Sequence, residues 1–440
     1  MPYKAGERLP GERASKLGHL DVLKSPLVRR LCDSFEDPQH APLSVQPTWQ
    51  TVPAVGDPLR IVFGVDGSLQ VIESETRPHK TIAFVKTALL RLDQAAISQI
   101  DKDSPHPFAL RDILADSALY HATVFPLRHV IIAGISTYDT IRQIIFESVK
   151  DASLNGEPMA TLKWLAYEQW DGKKKSLPLF ECPHCGHGRS NATLPYDAEE
   201  GTCGDCSGRL FLTDMLGFHQ EMAIDSAPDS IASSYMAIHE TLLLFTGIRY
   251  FWETNRDALS HCLFVKDGPL SIRAQYSKLV APIRRFFEYA RHEGVIVHVI
   301  GQEKSGAFFE HLQLIEKHAP ESSIFIPGDL YIKEEIQHRP SAGAPYGKDT
   351  NYGAKVFLKL NEFHHAVLNI PIGKFEQNPQ KSDLIGIDRI LGTLPRILSN
   401  RYEGALLPIE LANGVASLST YPSAHILKIF AESSTKRGVP

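Results

Sequence analysis

The chain has 440 residues, 43% hydrophobic and 22% charged, with a formal net charge of −5. That length carries two or three domains and a sizeable core, and that charge argues against a protein basic over its whole surface, so a nucleic-acid partner would have to meet a local basic groove. No apolar run approaches the ~18–20 residues of a membrane span, and the N-terminus shows no apolar signal region, so a cytoplasmic protein with no membrane partner is expected.

Residues 1–55 are rich in Pro, Ser and charge and read as an N-terminal arm, with one helix at 17–35 where Leu20, Leu23, Leu27 and Leu31 fall at helical spacing. The next stretch, from Arg60 to Leu69, is a short apolar run that delivers Asp66 and then Gly67. The same design returns at Cys262-Leu263-Phe264-Val265-Lys266-Asp267-Gly268. Two buried strands that each end in Asp-Gly bring two carboxylates to one sheet edge. Such oxygen ligands suit a pair of divalent ions about 3.5–4 Å apart. Asp-Gly is also the commonest hairpin turn, so one copy alone reads as a turn. The second copy shifts the balance to the metal site.

Between the two copies, 81–90 and 130–135 read as strands, and 137–152 and 159–170 as helices that stop at Gly172 and the basic run Lys173, Lys174, Lys175. After the cysteine-bearing block the helical pattern returns from Asp229 through 235–244. A further helix at 274–292 buries Leu279, Ile283, Phe286 and Ala290, and the strand 295–301 leads to Glu303, Lys304 and Ser305. Strand, helix, strand predicts a parallel crossover, and open α/β sheets gather their sites at strand ends. The tail reads as a polar loop at 339–353, strands at 355–359 and 366–370, and helices at 388–398 and 421–433.

Cys182, Cys185, Cys203 and Cys206 form C-x2-C-x17-C-x2-C. Each Cys-x-x-Cys turn lets two thiolates meet one ion, and four close a tetrahedral shell, so a structural zinc is expected. A redox pair has no use for the second copy. His184, His187 and His219 are near enough in sequence to substitute as ligands, but with four cysteines present they read as surface histidines. A closed site does no chemistry, which makes the ribbon a stabilised knob for contacts with DNA or protein. Cys32 and Cys262 stand alone, the latter as a small core residue.

Asp66-Gly67-Ser68 on a first strand, the later Asp267-Gly268-x-Leu270, a glutamate-bearing helix before it and Lys304-Ser305 after the next strand together resemble the NurA nuclease family. The likeness covers mainly residues 58–90 and 230–310. It implies an α/β fold with an RNase H-like mixed sheet flanked by helices, here with an inserted four-cysteine zinc ribbon. The nuclease domain would then be discontinuous, 56–172 and 225–440, around a ribbon at 173–224. The resemblance further implies a homodimeric nuclease dependent on manganese or magnesium, acting on DNA with a HerA-like hexameric ATPase. Asp66 and Asp267 become metal-ligand aspartates, and Glu240 the helix glutamate, with Glu253 as its rival. Lys304 becomes the phosphate-facing lysine, and Tyr421 and His425 stand for the family's C-terminal tyrosine and histidine. Break-end processing and defence against foreign DNA both use this chemistry. The reading from another class is an inert zinc-ribbon scaffold or DNA-binding adaptor that keeps a nuclease-like fold; acidic residues persisting in both strands weigh against it.

Overall fold

The computed structural model describes residues 22–35, 43–52, 57–75, 77–93, 118–186, 192–223, 227–399, 404–418 and 423–436. The chain separates into two compact units, Met1–Ser44 and Val45–Pro440. In the first, helix α1 (Pro26–Asp33) starts from Ser25, whose hydroxyl accepts the Val28 N–H at 3.4 Å. The expected helix at 17–35 is therefore present but shorter, and Leu20 lies outside the described residues.

The second unit is built on a nine-stranded mixed sheet. Its strands are β1 (Gln50–Thr51), β2 (Ile61–Glu73), β3 (Thr81–Asp93), β4 (Ala118–Arg128), β7 (Cys262–Asp267), β8 (His298–Glu303), β9 (Ser323–Phe325), β10 (Gly353–Lys359) and β11 (His365–Pro371). A separate hairpin pairs β5 (Glu200–Thr202) with β6 (Arg209–Phe211). The spatial order of the large sheet is β1-β9-β10-β11-β8-β7-β2-β3-β4. Strands β2, β3 and β4 make an antiparallel meander, β7 joins β2 in parallel, and β8 joins β7 in parallel. The parallel crossover expected between 262 and 301 is therefore observed. Because Gln50 and Thr51 pair with β9, part of the expected arm belongs to the sheet.

Helices α2 (Thr137–Val149), α3 (Glu157–Ala166), α4 (Ser230–Thr254) and α5 (Val280–His292) share one apolar cluster with Phe63, Val65, Phe264 and Val299 on one sheet face. After α6 (Ala307–Ile315), helices α7 (Ile387–Ile397) and α8 (Leu407–Ala416) cover Val62, Leu263, Val265 and Ile300 on the other face. Strand β7 is buried on both faces, which is why its sequence reads as an unbroken apolar run. The last helix is α9 (Ser423–Lys436). Gly64 lets α8 settle onto the sheet, since a side chain there would overlap the Pro408 carbonyl. Helix α4 corrects the expectation that no segment suits a membrane: its 25 residues are long and apolar enough. In the structure 83% of its apolar window is buried, as befits a helix apolar all round at the centre of a core.

The cysteine-bearing segment is sewn into that core. Phe211, Leu212, Met215 and Leu216 join the cluster that holds Ile141 and Phe146 of α2. Arg142, buried on α2, grips Asp214 with Nε to Oδ1 at 2.9 Å and Nη2 to Oδ2 at 2.8 Å, and also reaches the Arg209 carbonyl. Breaking such a buried pair by removing one partner costs roughly 3–5 kcal/mol, because the other charge is left buried alone.

Two expectations are corrected here. Residues 130–135 form a turn, not a strand, with Ile131 73% exposed. The sheet ends with β4 at Arg128, and the apolar run beyond it has no strand to pair with. Asp66-Gly67 is neither a turn nor a strand end: it sits mid-strand, because β3 pairs with all thirteen residues of β2.

Candidate functional site: a carboxylate cluster and a four-cysteine cluster

The parallel pairing of β2 with β7 runs from Ile61↔Cys262 to Val65↔Lys266 and stops. Asp66 and Asp267 are the next residues, so they stand beside each other where the pairing ends. Side chains alternate along a strand, so both carboxylates leave on the face of Val62, Leu263 and Val265, under α7 and α8. Asp66 is buried, and its Oδ1 accepts the Gly67 N–H at 2.7 Å. Its Oδ2 is buried with no hydrogen-bond partner. Asp267 is more open and meets Lys304 Nζ at 3.0 Å, the two side chains 27% and 34% exposed.

Glu240 reaches the same point from α4 on the other face. Lys266, a buried lysine, donates from Nζ to Glu240 Oε2 at 2.9 Å and to the Asp267 carbonyl at 2.9 Å. Gly67 makes room for this carboxylate, since a Cβ there would stand 2.5 Å from Glu240 Oε1. Burial lifts the Asp66 pKa to about 7, with the charges of Asp267 and Glu240 adding to it; Asn413 on α8 and the Gly67 N–H pull the other way. Burial also raises the Glu240 pKa, opposed by Lys266. Lys266 has its own pKa raised, because Glu240 outweighs the cost of burying the ammonium.

Four of the five expected residues, Asp66, Glu240, Asp267 and Lys304, thus stand near one end of the β2–β7 pairing, with the two aspartates on one sheet face and Glu240 on the other; the three carboxylates do not all come within 4.8 Å of one another. Glu253 pairs with Arg249 at 3.1 Å near the far end of α4, thirteen residues or ~20 Å along the helix from Glu240. His425 is exposed on α9, whose Leu427 and Ala431 pack on Ile72, in the half of β2 beyond Asp66, and on Ile82 of β3. Tyr421 lies outside the described residues. Two contributors escaped the sequence reading. Lys266 was visible as the one charge inside an apolar strand, beside the aspartate that drew attention. Asn413 left no signal, since nothing in its helix ties it to β2.

The cysteines form the tighter cluster. Among the described residues, one group of three or more His, Cys, Asp or Glu has its ligand atoms all within 4.8 Å of one another: Cys182, Cys185, Cys203 and Cys206. Sγ of Cys182 and Cys206 are 3.8 Å apart, and those of Cys185 and Cys203 are 3.6 Å apart. Four thiolates at about 2.3 Å from one ion stand ~3.8 Å from each other, so the set can hold a tetrahedral metal ion. The N–H groups of Asp205 and then Cys206 bring the Cys203 thiol down to about 7, whereas burial raises the Cys182 thiol and the neighbouring Cys206 thiol raises that of Cys185. His184 turns away, its Nε2 2.9 Å from the Arg209 carbonyl oxygen. His219 is buried, not on the surface, and His187 lies outside the described residues.

No protein-family model matches this chain, and no curated protein matches it.

The raised pKa of Asp66 has a measurable consequence. Between the ordinary carboxylate value of ~3.9 and about 7, folded Asp66 holds a proton that the unfolded chain has released. Stability therefore falls as pH rises through that window. Asp66→Asn removes the penalty, so in chelator the variant should exceed the wild type by on the order of 1–3 kcal/mol at pH 8, with the gap closing by pH 4. Urea denaturation at both pH values measures this; a gap that does not change with pH contradicts it.

Proposed function

We propose that this protein is a divalent-metal-dependent deoxyribonuclease with an RNase H-like catalytic sheet, resembling the NurA family. The observation that carries the reading is Asp66 beside Asp267 at the end of a parallel pair, with Asp66 Oδ2 buried and unpartnered. A protein has little reason to bury one carboxylate beside a second unless a cation is to join them. The all-oxygen donor set suits manganese or magnesium. A meander whose first strand is extended by two parallel strands is in keeping with the RNase H-like fold.

In this reading Asp66 and Asp267 hold the cation with Glu240 as third carboxylate, and a bound ion supplies an activated water and offsets charge at the phosphate. Lys304, half open beside Asp267, offers its Nζ to a phosphate oxygen of the substrate and steadies the charge that grows as the P–O bond breaks. Lys266 holds the Glu240 carboxylate and the Asp267 carbonyl in place. His425 would serve as a proton carrier only if α9 presents it to the substrate. The four cysteines take a structural zinc. Among the described residues no helix opens on a nucleotide-binding glycine loop, so substrate delivery falls to a partner, a HerA-like hexameric ATPase acting on a homodimer of this chain.

The inert-scaffold reading has one observation on its side. Lys266 and Lys304 already neutralise Glu240 and Asp267. Cleavage of end-labelled DNA with manganese, magnesium or chelator separates the two. Asp66→Asn and Asp267→Asn should each lower manganese-dependent cleavage at least a hundredfold while the protein stays folded; wild-type rates in both variants would sink the nuclease reading. Elemental analysis should find one zinc per chain, lost in Cys203→Ser, with cleavage of short oligonucleotides partly retained. A wild-type protein free of zinc overturns that assignment. A HerA-like ATPase with ATP should raise cleavage of long duplex at least tenfold, and its Walker-lysine variant should not. Equal rates with and without the ATPase would dismiss the partner.

A further inference from the structure

At the opposite end of β7 and β8 from the carboxylates, a cavity of 480 Å3 opens at the start of α7. The six-residue strands set the two places ~16–20 Å apart. Arg291, Lys381, Arg389 and His298 line the cavity against a single carboxylate, Asp388, which Lys381 already meets at 2.7 Å. Helix α7 has eleven residues and begins at Gly386, at φ +74°, with no side chain capping its first N–H groups. An uncapped helix start presents unsatisfied donors and the positive end of the helix dipole.

His298 supplies an independent observation. It is 1% exposed, and neither ring nitrogen has a hydrogen-bond partner. Its ring lies against the helix start: a Cβ on Gly386 would fall 3.0 Å from Nε2, which also explains why glycine stands there. Burying a polar group unpaired costs stability, a cost that a bound acceptor would offset. Burial, with Arg389 and His261 assisting, holds the ring pKa down to about 3, so the imidazole is neutral with one N–H to give. Arg389 is fixed in place, donating from Nη1 to the Ser260 carbonyl at 2.7 Å and from Nε to the Asp57 carbonyl at 3.2 Å. Arg291 is exposed and makes only a long 3.5 Å contact with the Ser382 carbonyl, which leaves its guanidinium available at the rim.

We propose that this cavity binds a phosphate group, with the first N–H groups of α7, His298 and Arg291 as its donors. The donors come from three directions and outnumber what one carboxylate could accept, while the tetrahedral oxygens of a phosphate can use them all. The room left beyond the phosphate accommodates whatever carries it. Either a free phosphate monoester or the phosphodiester of a nucleic-acid backbone brings this chemistry. The site shares no residue with the proposed nuclease centre.

Isothermal titration of the full chain, freed of divalent metals, tests it with three probes: inorganic phosphate, deoxyadenosine 5′-monophosphate and a dinucleotide with only an internal phosphodiester. Inorganic phosphate should bind one per chain, and Arg291→Ala and His298→Gln should each weaken it at least tenfold, with Asp66→Asn unchanged. Arg291 is exposed, so its variant keeps the test valid if His298→Gln does not fold. The monoester binding at least tenfold more tightly than the dinucleotide identifies a free monoester as the source; the reverse identifies a nucleic-acid backbone. No phosphate binding to the wild type, or equal binding to a folded Arg291→Ala, overturns the proposal.

Discussion

Two like charges forced side by side organise this molecule. The parallel register of β2 and β7 ends at Val65↔Lys266, and the next residue on each strand is an aspartate. Because both strands are packed on both faces, that register cannot slip without turning every apolar side chain to the wrong side. The core therefore holds Asp66 next to Asp267 against their repulsion, and burial of Asp66 makes the repulsion felt.

The surroundings limit this strain without removing it. Lys266 reaches from β7 to Glu240 and to the Asp267 carbonyl, and Lys304 covers Asp267 from the solvent side. Gly64 and Gly67 let α8 and the Glu240 carboxylate approach β2 from opposite faces. What remains is the burial of Asp66, which Asn413 and the Gly67 N–H offset only in part. The cysteine-bearing segment lies outside this conflict. It is tied to α2 by Arg142 and Asp214 and joins the core through Phe211, Leu212 and Met215. Its four sulfurs face one another.

How much of this was legible in the sequence depended on how local each signal was. The cysteine spacing closes within two turns of chain, so the cluster could be read directly. Asp66 and Asp267 stood out because each follows an apolar run, but the run's end misled for Asp66. Whether a strand continues past an aspartate depends on its partner, and β3 lies on the far side of a turn that the β2 sequence does not describe. The apolar run at 130–135 failed for the same reason, having the composition of a strand without a neighbour. Lys266 looked like an ordinary charge because the glutamate that justifies it sits on α4. The choice between Glu240 and Glu253 waited on burial, since both lie on one helix and only its packing separates them. The apolar length of α4 reflects the same helix being wrapped by core on all sides.

The claim on which the account rests is that the repulsion between Asp66 and Asp267 is held ready for a cation. Manganese binding followed by electron paramagnetic resonance at pH 8 measures that directly, with no nucleic acid present. The wild type should hold at least one ion per chain tightly, and Asp66→Asn and Asp267→Asn should each bind it at least tenfold more weakly. Equal manganese affinity in the wild type and both variants, all shown to be folded, would contradict it.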